Sequence, residues 1–106
     1  MAQAGFKTGI IYLTRGEMGT GGTPAVRADE ALKAAQILQT DLLETLDFGD
    51  TKVVDTPKHR NIVAALIRKY RPRVLLAPWN KGGHGKRGAH PDHLAAGNIV
   101  MNACYY

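Results

Sequence analysis

The sequence predicts an α/β fold built on a parallel sheet, and three observations carry that expectation. Two apolar runs, Thr8-Gly9-Ile10-Ile11-Tyr12-Leu13 and Val74-Leu75-Leu76-Ala77, are continuous rather than alternating, as in strands covered on both faces. Three other stretches carry apolar residues at helical spacing. A glycine-rich loop follows each run, and loops leaving parallel strands emerge together at the carboxyl edge, where ligands bind in such folds.

Each element has its own reason. The run Thr8–Leu13 holds β-branched and aromatic residues and reads as a strand buried on both faces. A polar loop over residues 14–24 leads to a helix from about Ala25 to Leu38, with Ala28, Ala31, Leu32, Ala35 and Leu38 on one face. Short strands are expected within Leu42–Phe48 and Thr51–Val54. Thr56-Pro57 then opens a second helix with a capping hydroxyl and a proline at its first position. Its apolar stripe is Ile62, Val63, Leu66, Ile67 and Tyr70, and Arg71-Pro72 stops it. Val74–Ala77 is a second buried strand, ended by Pro78. A glycine- and lysine-rich loop over residues 79–88 leads to His90-Pro91-Asp92-His93, where Pro91 suits the first position of a third helix. The alternation implies right-handed crossovers in one domain over residues 1–106.

Composition narrows the function. The 106 residues suffice for one small domain, with 44% apolar and 22% charged residues. No apolar run is long enough for a membrane-spanning segment, and no secretory signal is visible. The lone Cys104 excludes an internal disulfide and favours a reducing, cytoplasmic setting; its place on the last helix suggests core packing. A net charge of +5 could attract nucleic acid, but the basic residues are scattered without interleaved aromatics, so no nucleic-acid partner is expected.

The candidate chemistry gathers at two places. His90, Asp92 and His93 put two imidazoles and a carboxylate at a loop-to-helix junction, with His93 on the same face as Ala96, Val100 and Ala103. His93 is the candidate zinc ligand, since a neutral imidazole binds zinc and the i, i+3 spacing from His90 lets both rings face one point. The alternative is that His90 merely caps the helix while His93 is a hydrogen-bonded, partly buried histidine. Asp92 is favoured in a first helical turn without any chemistry. The second place is the loop Thr14-Arg15-Gly16-Glu17-Met18-Gly19-Thr20-Gly21-Gly22 with Arg27 beyond it. Its glycines fit neither the dinucleotide fingerprint nor the P-loop pattern. Arg27, near the start of a helix where a cation is disfavoured, is a candidate for binding an anion or a carbonyl, although Asp29 and Glu30 could balance it. The topology would bring Arg15, Glu17 and Arg27 towards His90, Asp92 and His93. Lys81, His84, Lys86 and Arg87 suit either a lid or a solvated basic loop, and Trp79 either a sugar platform or a plug over the sheet edge.

Taken together, Thr14–Thr20, Thr23-Pro24, Arg27, Glu30-Ala31, Tyr70-Arg71-Pro72, Val74–Pro78 and His90-Pro91-Asp92-His93 resemble the LmbE/PIG-L deacetylases. The order and spacing of these blocks match from Lys7 to Ala103; each is unspecific alone. The resemblance implies a Rossmann-like parallel sheet with flanking helices and a zinc-dependent hydrolase that removes the acetyl group from N-acetylglucosamine-type conjugates, with a small N-acetylated amino sugar as substrate. It implies that His93 is a zinc ligand and that His90 stabilises the oxyanion and assists as a general acid, held by Asp92. It also implies that Arg27 contacts substrate, with Arg15 and Glu17 in the block that shapes the pocket rim.

Two departures accompany the resemblance. The stretch between Pro78 and His90 is longer and more basic than in relatives, which leaves the remote part of the substrate open. The family's opening Ala-His-Pro-Asp-Asp motif, source of two further zinc ligands and the water-activating aspartate, does not precede Thr8. The chain therefore reads as an internal fragment of a deacetylase domain, expected to bind zinc poorly and to hydrolyse little by itself. The alternative is a non-catalytic module of the same fold that binds a sugar or phosphate. A sheet short of a strand would also expose an edge that invites self-association into a homo-oligomer.

Overall fold

A computed structural model of the chain describes residues 5–79 and 90–106. They form two compact units, Met1–Asp50 and Thr51–Tyr106. The loop residues Lys81, His84, Lys86 and Arg87 lie outside the described residues.

In the first unit, β1 (Gly9–Tyr12), α1 (Pro24–Ile37) and β2 (Leu42–Thr45) make a strand–helix–strand crossover. The strands pair in parallel, with Gly9 opposite Leu42 and Tyr12 opposite Thr45. Asp41 closes one end of the pair, its carboxylate and its own N–H meeting the N–H and carbonyl of Thr8. Leu46 and Phe48 extend the contact by donating to the carbonyls of Tyr12 and Leu13, and Phe48 is buried. α1 begins where Thr23 Oγ1 accepts from the N–H of Val26, with Pro24 in the first turn. It ends in a Schellman arrangement: Thr40 N–H reaches the Ala35 carbonyl at 2.9 Å and Gln39 N–H the Gln36 carbonyl. Gln39 takes the left-handed φ of +56° that this ending requires. On α1 only Ala35 of the expected stripe is buried, while Leu32 and Leu38 are exposed. β1 is half-exposed rather than buried on both faces, in a sheet of two strands among the described residues.

The second unit is a pair of packed helices, α2 (Pro57–Tyr70) and α3 (Pro91–Ala103). Thr56 Oγ1 caps α2 by accepting from His59 N–H, and Arg71 ends it in the left-handed region at φ +50°, just before Pro72. Val63 and Ala64 of α2 and Ala96, Ile99 and Ala103 of α3 form the core, with Ile99 wholly buried. Small residues at most of these positions let the helix backbones approach closely.

Three expectations are corrected here. Residues 51–54 are not a strand: the N–H groups of Thr51 and Val53 donate to the Asp92 carboxylate instead of to a neighbouring strand. Val74–Ala77 is not a buried strand either, with Val74 74% and Leu76 81% exposed. Among the described residues no strand runs beside it, and a strand exists only through its ladder partners. Cys104, expected in the core, is exposed, because it lies about 100° around the helix from the buried Ala103. No helix among the described residues is long and apolar enough to cross a membrane.

A polar link between the two helices was not foreseen. Asp55, just ahead of the Thr56 cap, accepts from Arg60 Nε at 2.6 Å and Nη2 at 3.0 Å, and from Asn102 Nδ2 at 2.9 Å. These bonds join the start of α2 to the last turn of α3. The Arg60 hydrogen bond, assisted by Asn102, holds the Asp55 carboxyl below its ordinary value of 3.8 against the opposing effect of burial.

Two outcomes follow for stability. Ile99→Ala should cost about 2–5 kcal/mol in denaturant unfolding, since it truncates the one fully buried large side chain among the described residues. A folded-state value below the unfolded one makes the Asp55 contribution complete above the unfolded value and lost as pH falls through the folded one. Asp55→Asn should therefore lower the unfolding midpoint at pH 7 and shrink the difference from wild type in scans carried below about pH 4.

Candidate functional site

The second unit places His90, Asp92 and His93 at the start of α3. His90 is the N-cap, and its Nδ1 accepts from the backbone N–H of Asp92 at 3.1 Å. A ring whose Nδ1 accepts carries its proton on Nε2, which leaves an outward-capable donor on a ring that is otherwise locked. Pro91 occupies the first helical position, as its spacing predicted. The carboxylate of Asp92 accepts from Thr51 N–H at 2.8 Å and Val53 N–H at 3.3 Å. It is thus the main-chain N–H of Asp92, and not its carboxylate, that holds the His90 ring.

The His90 and His93 rings stand 5.8 Å apart between centroids, tilted by 50°. His93 precedes Ala96 by one turn but is exposed, since the packed stripe begins only at Ala96. Its side chain makes no hydrogen bond among the described residues. Among the described residues no three histidine, cysteine or acidic side chains converge as a metal site.

The first unit holds Arg15, Glu17 and Arg27. Arg15 and Glu17 are exposed on the loop after β1. That loop is braced: Gly16 N–H donates to Thr14 Oγ1, Gly19 N–H to the Gly16 carbonyl, and Met18 N–H to the Asp50 carboxylate at 2.9 Å. Arg27, half-buried at the end of the first turn of α1, lays its guanidinium against Gly16 and Gly19. Its Nε is buried and, among the described residues, has no hydrogen-bond partner. Asp29, one of the two residues that could have balanced it, pairs with Lys33 instead. Trp79 is exposed.

Sequence reasoning passed over Asp50, whose bracing bond spans 32 residues and leaves no local trace. It also treated Gly19 only as part of a block. Its contact with Arg27 spans a glycine-rich loop and leaves no local trace in the sequence.

Residues 1–104 match the family described as "PIG-L: GlcNAc-PI de-N-acetylase". Diacetylchitobiose deacetylase of Thermococcus kodakarensis is 33% identical over 112 residues, covering 97% of this chain and 40% of its own length. A 1D-myo-inositol 2-acetamido-2-deoxy-alpha-D-glucopyranoside deacetylase of Thermobifida fusca is 42% identical over 50 residues, covering 47% of this chain and 15% of its own. The crystal structure of a conserved protein of Thermus thermophilus superposes with a TM-score of 0.86 at 40% identity, covering 98% of this chain and 45% of that one. The chain thus spans less than half the length of each of these relatives. With the family match running through both units, the chain belongs to the PIG-L family of de-N-acetylases.

Proposed function

We propose that this chain forms part of a zinc-dependent deacetylase that removes the N-acetyl group from a small N-acetylated amino sugar or its conjugate, in the cytoplasm. The observation that supports it best is the junction at α3, where one imidazole is locked by the helix start and another stands 5.8 Å away without a hydrogen bond among the described residues. The names of the relatives, deacetylases of diacetylchitobiose and of an acetylated glucosaminyl-inositol, support the substrate class.

The described residues alone do not fit a complete catalytic zinc site, which uses about three protein ligands. His93 would contribute one imidazole to such a site. Zinc, when bound, would supply an acidified water and polarise the acyl oxygen. His90 donates from Nε2 to the oxyanion that develops on the acetyl group, and the same atom is placed to assist proton delivery to the departing amine. Asp92 positions His90 through its main-chain N–H while its carboxylate fixes the helix start to residues 51–53. Arg27 contacts the substrate, with Arg15 and Glu17 on the rim.

A chimera tests this reading: the matched segment of the Thermococcus enzyme is replaced by this chain and acetate release from diacetylchitobiose is followed. Deacetylation should persist and should fall by about 100-fold or more with His93→Ala, as zinc retention falls with it. His90→Gln should lower kcat by about 10²–10³ with little change in KM, as for loss of an oxyanion donor. Arg27→Lys should raise KM by about tenfold, the loss of one charge-assisted hydrogen bond. A folded chimera that binds the sugar and never releases acetate would sink the hydrolase assignment in favour of a binding module.

A further inference from the structure

Gly16 and Gly19 both touch Arg27, but they are glycines for different reasons. Gly16 has a φ of +64°, a conformation that side chains rarely adopt, so its backbone alone explains it. Gly19 does not lie in the left-handed region, and its backbone imposes no such demand. What stands in the way of a side chain there is Arg27: an added Cβ would lie 2.6 Å from Cζ and 3.2 Å from Nε of the guanidinium. That separation is far inside carbon contact distance. The turn cannot easily retreat, because Gly19 is bonded to Gly16 and Met18 is bonded to Asp50.

The seat has a further property. Nε is buried without a partner among the described residues, a desolvated donor that the fold tolerates, and such groups call for a functional account. The Nη atoms also lie on the glycine side of the seat: Nη2 is the atom nearest to where a Gly19 Cβ would stand, and Nη1 is 3.3 Å from the corresponding point at Gly16.

We propose that Gly19 is a positioning residue for Arg27: its missing side chain makes the seat in which the guanidinium lies with Nε enclosed, and so sets where that group stands for the ligand. This rests on the reading of Arg27 as a substrate-contacting group. It adds a requirement at a loop position that touches no substrate itself.

The test uses the full chain, labelled with nitrogen-15, and reads the arginine Nε–H resonance that Arg27→Lys removes. Gly19→Ala should shift that resonance and speed its hydrogen exchange by about tenfold or more, while Thr20→Ala leaves both unchanged. A thermodynamic cycle adds a second readout. Gly19→Ala should lower the unfolding midpoint in the wild-type background and should have little effect in an Arg27→Ala background, where the guanidinium is gone. If Gly19→Ala prevents folding, rescue by Arg27→Ala supports the proposal and failure of both chains to fold overturns it. An unmoved Nε–H resonance, or an equal loss in both backgrounds, also overturns it. Should Arg27→Lys leave KM unchanged in the chimera while these results hold, the seat stands and the substrate role of Arg27 falls.

Discussion

One side chain organises the second unit. The Asp92 carboxylate takes the N–H groups of Thr51 and Val53, donors about forty residues away in sequence, while the Asp92 main chain holds the ring of His90. A carboxylate in the first turn of a helix is already favoured by the helix dipole, and bonds from two main-chain donors add charge-assisted strength. The consequences run in two directions. Residues 51–53 give up strand pairing, because their donors are spent on Asp92. The helix start becomes a fixed point, with Pro91 setting its φ and His90 closing its first turn. A functional ring at that place inherits its tautomer from the fold.

The first unit solves a comparable problem with less covering material. Its helix is anchored at one end by Thr23 and at the other by the left-handed Gln39, and its two strands are pinned by Asp41. Neither the sheet nor the apolar face of α1 is deeply buried. Order in the loop after β1 therefore comes from polar bonds and from contact with Arg27, and not from packing around it. A cation near a helix start is electrostatically disfavoured. Arg27 nevertheless stands there, with its Nε buried and without a partner among the described residues.

Helix boundaries were legible in the sequence because their signals are local. Thr56-Pro57 and His90-Pro91 each put an acceptor and a proline at consecutive positions, and two helices begin there, while the first helix, expected from about Ala25, begins one residue earlier behind the Thr23 cap. The first crossover was legible for the same reason, through the apolar composition of residues 8–13 and 42–48. What escaped was whatever depends on partners distant in sequence. Nothing near Asp55 announces Asn102, and nothing near Asp92 announces Thr51. The histidine pair was visible as a motif, and the capping role of His90 stood among the alternatives its position allowed. The exposure of His93 was not visible, since an apolar stripe shows which face can pack without showing where its cover ends.

That distinction also explains the strand that did not form. Val74-Leu75-Leu76-Ala77 has the composition of a fully covered parallel strand, yet its apolar side chains stand in solvent. A helix satisfies its main-chain groups internally, so α2 and α3 need only one neighbour each to be stable. A parallel strand satisfies none of them alone, and its side chains require cover on both faces as well. The same sequence signal therefore has different force in the two cases. Helical periodicity specifies an element, while an apolar run specifies only what would become a strand beside suitable partners. Leu75 and Ala77 line one open cavity with Val100 and Met101 of α3. What the described residues do not supply is the ladder.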